Sequence, residues 1–165
     1  MEKLIIDSRI RNQEYTYLSK YFNIIKLQLS DDVYEEISGH SDIFYCKINN
    51  QIVAAPNAKI LEKDFKVGRL RVEKKYPLDV PYNACQIGNI VIGNKYLDNS
   101  IIPDITVNQG YVKCSIAVTT NKSCITTDKK IAEVLNKNNI DALYIEEDNI
   151  KLLKKISLFL ICMDL

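Results

Sequence analysis

The sequence predicts an α/β (α+β) fold built from small repeated units, and three observations carry the prediction. The chain opens as an apolar run, a helically spaced segment and a second apolar run, the strand–helix–strand start of an α/β arrangement. Three later segments each pair two short apolar strands across a turn. The last of these is followed by a segment of strong helical period and then another strand.

Leu4-Ile5-Ile6 reads as a buried strand. Asn12 to Tyr21 places Tyr15, Leu18 and Tyr21 at helical spacing, and Asn23 to Leu29 returns as a strand. Asp31 to Ile37 has room for one helical turn, which Gly39 ends. The three paired segments begin Cys46-Lys47-Ile48, Cys85-Gln86-Ile87 and Cys114-Ser115-Ile116. Asn49-Asn50 and Gly88-Asn89 supply the first two turns, because both residue types tolerate positive φ. The third turn falls near Asn121-Lys122. PNAKILEKDF and NKYLDNSIIP each read as a short helix or a turn. TTDKKIAEVLNKNN is the clearest helix, with Thr127 or Asp128 as cap, Ile131, Val134 and Leu135 on one face, and Asn138-Asn139 at its end. Asp141 to Ile145 follows as a strand. The repeated unit is hairpin, helix, strand (ββαβ), at a period within the range of repeat architectures. Lys63 to Tyr82 is the most basic and least apolar stretch, punctuated by Pro77 and Pro81, and reads as a solvated connector.

The bulk properties narrow the function classes. With 165 residues, one domain over 1–150 is expected, followed by an atypical apolar tail, 151–165. Hydrophobic residues make up 47% and charged residues 26%, a balance that suits a folded soluble chain. The net charge of +1 supplies no field for nucleic acid or an anionic membrane. The tyrosines are not interleaved with a basic stripe, so a nucleic-acid platform is not expected. No run reaches the roughly 18 apolar residues of a membrane span, and the N-terminus lacks the pattern of a signal peptide. Five unevenly spaced cysteines, Cys46, Cys85, Cys114, Cys124 and Cys162, fit free thiols in a cytoplasmic protein. One histidine and scattered cysteines supply no metal site, and no cofactor motif is present.

NACQIGNIVIGN, NQGYVKCSIAV, SCITTDKKIAEVL and IDALYIEEDNIKL resemble an uncharacterised bacterial family assigned to the guanidine-modifying-enzyme (GME) fold, also called the pentein fold. The resemblance covers roughly Ile37 to Leu152, and its most specific piece is Gln109 to Ser115. It implies an α/β propeller of ββαβ units around a pseudo-fivefold axis. A chain of this length has room for about three of the five units. KLLKKISLFLICMDL departs from the family's glycine-rich continuation, as a frameshift or early stop would produce. The expectation is an incomplete family member without catalysis in this form, prone to self-association through uncovered strand edges.

Pentein enzymes attack a guanidinium carbon with a cysteine thiolate, move protons with a histidine and grip the substrate with carboxylates. The resemblance implies this chemistry on His40 and Asp42 of His40-Ser41-Asp42-Ile43-Phe44, with a small guanidino compound as ligand. The competing reading makes Gly39 to Asp42 a loop whose side chains bond backbone amides. Cys114 and Cys46 are the candidate nucleophiles, although an apolar strand setting would keep either thiol inert. Cys162 has no neighbouring glycine to open the backbone. Lys113 and Asn83 are candidate ligand contacts, each with a bland alternative as a strand-entry residue. A hydrolase or amidinotransferase and a non-catalytic binding module both remain open, since the fold alone does not decide between them.

Overall fold

The computed structural model describes residues 1–146. The tail over 151–165, including Cys162, lies outside the described residues. Strand β1 (Lys3–Asp7), helix α1 (Asn12–Leu18) and strand β2 (Asn23–Leu27) open the chain, and β1 pairs in parallel with β2. A turn of 3₁₀ helix at Glu35–Ile37 and a single helical turn, α2 (Ser41–Phe44), lead into the repeated part.

Three three-stranded sheets follow, all built the same way. The first holds β3 (Tyr45–Ile48), β4 (Gln51–Ala54) and β5 (Lys66–Val67). The second holds β6 (Cys85–Ile87), β7 (Ile90–Gly93) and β8 (Ile105–Thr106). The third holds β9 (Ile116–Thr120), β10 (Ser123–Thr126) and β11 (Asp141–Tyr144), with helix α3 (Lys129–Lys137) between its last two strands. In each sheet a leading strand pairs antiparallel with a middle strand, which pairs in parallel with a trailing one. The sheets meet along their leading strands, β3 against β6 and β6 against β9.

The turn chemistry works as the sequence predicts. Asn49 and Asn50 both take positive φ, 49° and 60°, which suits a two-residue hairpin between right-twisted strands. Gly88 takes φ 59°, and a Cβ there would stand 2.5 Å from the Asn121 carbonyl oxygen. The second and third hairpin tips are therefore packed on one another. The first tip is bonded to β6, since Asn49 N donates to Gln86 Oε1 at 2.7 Å and Gln86 Nε2 donates to Asn49 Oδ1 at 3.2 Å.

α3 begins where its cap directs. Asp128 Oδ1 accepts from Lys130 N at 2.9 Å and Ile131 N at 3.1 Å, an arrangement that contributes about 1 kcal/mol. The helix buries Ile131, Ala132 and Leu135, Val134 packs beside them, and Asn139 closes the segment at φ 61°.

The structure corrects three expectations. First, the repeat is hairpin-plus-strand, and only the third unit carries a helix; 56–65 and 94–104 run as turns and extended chain. Proline there lacks the N–H a helical ladder needs, and aspartate and asparagine favour local side-chain bonds. Second, Cys114 is not the counterpart of Cys46 and Cys85. Those two lie in strands and are buried, whereas Cys114 lies in a 3₁₀ turn, Lys113–Ser115, just ahead of β9. Third, 63–82 is only partly solvated. It contributes β5, and Val72, Val80 and Tyr82 are buried. Asp98 fastens this stretch by accepting from Arg69 N and Leu70 N, both at 2.7 Å.

The core has two parts. One gathers Ile43, Phe44, Val53, Ala54 and Tyr82 around the first sheet, and the other gathers Ile87, Ile92, Ile116, Ile131 and Leu135 around the second and third. No described helix is long and apolar enough to cross a membrane.

Candidate functional site

Because the leading strands lie side by side, the residues just ahead of them converge. Asp42 precedes β3, Asn83 precedes β6 and Cys114 precedes β9. These three form one hydrogen-bonded cluster. Cys114 Sγ lies 2.6 Å from Asp42 Oδ2. Asn83 Nδ2 reaches the Asp42 carbonyl oxygen and Oδ2, both at 3.1 Å, and Cys114 Sγ at 3.4 Å. Asn83 Oδ1 accepts from Lys113 N at 2.7 Å. Asn83 thus uses both ends of its amide to hold the other two candidates in place.

The electrostatics follow from burial. Asp42 is only 5% exposed and makes no ion pair among the described residues. Its Oδ2 is occupied by two neutral donors, the thiol and the Asn83 amide, while its Oδ1 accepts no hydrogen bond among the described residues. Burial pushes the Cys114 thiol well above its ordinary range. The negative charge of Asp42 and the hydrogen bond to it push further in the same direction, against a smaller opposing effect from Asn83. The thiol is therefore protonated near neutrality and acts as a donor.

Asp42 stands at one end of a slot of ≈ 430 Å³. The slot runs along β3 to the hairpin tip at Asn50 and Gln51, and β1 forms its facing wall through Leu4 and Ile5. Tyr45 and Phe65 add apolar surface, and Glu62, Asp64, Lys47 and Lys113 add charge. Lys47 pairs with Glu2 at 3.1 Å, and Glu62 pairs with Lys3.

His40 stands apart from the cluster. It is the residue before α2, its carbonyl oxygen accepts from Ile43 N at 3.3 Å, and its side chain makes no hydrogen bond among the described residues. Its neighbourhood is the end of β1. A Cβ on Gly39 would lie 2.4 Å from Asp7 Oδ2. Arg9, which forks onto Asp7, also donates to the carbonyls of Glu35 and Glu36 at 2.9 and 3.2 Å. The structure thus brings together Asp42, Asn83, Lys113 and Cys114 of the sequence candidates and leaves His40 outside their hydrogen-bonded group.

Sequence reasoning missed a second buried carboxylate nearby. Asp79 is 2% exposed, its Oδ2 accepts from the Tyr111 hydroxyl, and its Oδ1 has no partner among the described residues. Burial, then the bond to Asp79, holds the Tyr111 phenol far above its usual range. The only signal in the sequence was an aspartate between two prolines, which reads as a turn. Among the described residues no group of three or more His, Cys, Asp or Glu side chains is placed to hold a metal ion.

Comparison with known proteins places this geometry in a family. No curated protein matches the chain, and no solved structure does. A family model described as "Family of unknown function (DUF6873)" matches residues 5–157, a span that contains every member of the cluster and the β3 wall of the slot. The chain belongs to that family.

Proposed function

We propose that this chain is a non-catalytic binding module for a small guanidinium- or amidinium-type cation, held by Asp42 at the end of the slot. The observation that carries the reading is the state of Asp42. A carboxylate 5% exposed, with no basic side chain paired to it among the described residues and Oδ1 taking no hydrogen bond from them, keeps one acceptor open toward the slot for a cation. A planar cation with parallel N–H donors suits a fixed carboxylate, and Asn83 fixes this one. The apolar walls at Leu4, Ile5, Tyr45 and Phe65 suit the carbon part of such a ligand.

Three sheets of one design meeting along their leading strands support a pentein-like propeller as the architecture. The hydrolase or amidinotransferase reading needs a thiolate and a proton-transfer group beside it. Burial and Asp42 keep the Cys114 thiol protonated, and His40 makes no hydrogen bond to it. Both facts weigh toward binding.

Thermal unfolding with methylguanidinium and with neutral methylurea tests the proposal. Methylguanidinium is expected to raise Tm with the logarithm of its concentration above Kd, methylurea is not, and Asp42→Asn is expected to abolish the difference. Equal effects of the two compounds, or a shift that survives Asp42→Asn, would rule out Asp42 as the contact. Release of ammonia or amine from the cation, lost in Cys114→Ala, would replace binding with catalysis.

A further inference from the structure

We infer that Arg69, Arg71, Lys74, Lys75 and Lys95, gathered around the ring of Tyr76, form a docking surface for a single-stranded nucleic acid. None of these residues lines the slot, so the proposal goes beyond the cation reading and does not depend on it.

In the sequence the tyrosines and the basic residues do not interleave. The fold brings them together, and Asp98 is the link. Its Oδ2 accepts from Arg69 N and Leu70 N, and it lies two residues after Tyr96. The Tyr96 ring stands edge-on to the ring of Tyr76, with centroids 5.6 Å apart and planes at 80°. Segments 69–76 and 95–96 therefore share one surface. All five basic residues are exposed there, and Glu73 is the only acidic residue of the two segments.

None of the five forms an ion pair among the described residues, whereas Lys3, Arg9, Arg11 and Lys47 each have a carboxylate partner. Like charges collected in this way repel one another, and a polyanion relieves the repulsion while releasing its own counterions. Two guanidinium groups, at Arg69 and Arg71, match the fork geometry of phosphate oxygens.

The backbone that carries these groups is fixed in advance. Val72, 1% exposed, is bonded at both of its backbone groups by the Asn57 amide, each at 3.0 Å. The Tyr82 hydroxyl donates to the Leu70 carbonyl at 2.7 Å, and Glu73 N donates to the Leu78 carbonyl at 3.0 Å. A charged loop held in this way has little backbone freedom left to lose on binding.

Tyr76 separates nucleic acid from other polyanions. Its ring packs against Gly110, where a Cβ would stand 2.8 Å from its Cε2, and against Tyr96. One buried amide seats both supports, since Asn94 Nδ2 donates to the Gly110 carbonyl at 2.8 Å and its Oδ1 accepts from Tyr96 N at 2.7 Å. Held on these sides, the Tyr76 ring is still 49% exposed. A fixed, half-open aromatic ring among cations is a platform on which a base stacks while neighbouring phosphates meet arginine and lysine. An acidic peptide would use the charges and leave the ring idle, and a duplex keeps its bases stacked on one another.

Fluorescence anisotropy of the full-length protein with a labelled oligoadenylate of about 12 nucleotides tests the assignment. Binding is expected to weaken about fivefold or more in Tyr76→Leu and to be kept in Tyr76→Phe. In the double variant Arg69→Ala, Arg71→Ala, affinity should fall and the slope of log affinity against log salt should shrink by about 1.4, the loss of two phosphate contacts on a single strand. Absence of binding at about 50 mM salt overturns the proposal. So does an abasic strand of the same length that binds the native chain as tightly, since the ring would then contribute nothing. Equal competition by a polyglutamate peptide of that length also overturns it and assigns the surface to an acidic protein. The abasic and peptide comparisons use the native chain, so they decide the question even where Tyr76→Leu weakens the fold. Failure of the cation reading would appear in the methylguanidinium titration and leave these results unaltered.

Discussion

Cys114 gives its thiol hydrogen to Asp42 across 2.6 Å, joining two side chains 72 positions apart in the sequence. The pair is held by the fold and not by local sequence. Each residue sits in a single turn ahead of a leading strand, and the packing of β3, β6 and β9 brings those turns together.

The first prediction concerns that pair. The Cys114 thiol is raised first by burial and then by the negative charge of Asp42. Asp42→Asn removes the charge, so the thiol's pKa should fall toward its ordinary range without reaching it, since the burial remains. Alkylation rates with a small neutral reagent, measured from pH 7 to pH 10 (about one and a half units either side of an ordinary thiol), should therefore rise at lower pH in the variant. An unchanged profile would mean that Asp42 does not act on the thiol.

Asn83→Ala tests the middle of the cluster. The change leaves Lys113 N without its acceptor and removes the donor shared by Asp42 and Cys114. Unpaired buried groups of this kind cost roughly 1–3 kcal/mol each. Urea unfolding should show a loss near the upper part of that range, with an unchanged dependence on urea. A loss below about 0.5 kcal/mol would place the amide on the surface in energetic terms.

Acid stability should depend on Asp98. Burial raises its carboxyl, but hydrogen bonds from the Leu70 and Ser100 amides, then from the Ser100 side chain and the Arg69 amide, outweigh it and lower the pKa to about 2. A carboxyl with a lowered folded-state pKa contributes stability above its unfolded pKa, and that contribution disappears as pH falls through the folded value. Between about pH 4 and pH 2 the wild-type protein should therefore lose stability that Asp98→Asn, already weaker at neutral pH, does not lose further. Parallel unfolding curves for the two proteins across that window would exclude Asp98 as the source.

Much of this structure is legible in the residues. The hairpins follow from Asn49-Asn50 and Gly88, and α3 from the cap at Asp128 and the apolar face at Ile131 and Leu135. The cysteine-led alignment of the repeats failed at Cys114, because Cys-x-Ile is a pattern of burial and does not mark register. Register was carried instead by the turns, which would have placed Cys114 with Asn83 and Asp42. His40 drew attention as the only histidine, yet its side chain joins no hydrogen bond of the cluster. The Tyr111–Asp79 contact crosses 32 positions and leaves no local trace in the sequence.

Asp42, Asn83 and Cys114 also have a consequence for how such a protein changes over generations. They occupy corresponding places in three copies of one structural unit, and each contributes a different functional group, a carboxylate, an amide and a thiol. The hairpins that present them are closed by turns of their own, so an exchange at any of the three changes the chemistry at the meeting point and costs stability according to the hydrogen bonds it removes, most at Asn83. A lineage built on this plan can therefore vary that point one codon at a time, with the largest loss at its middle member.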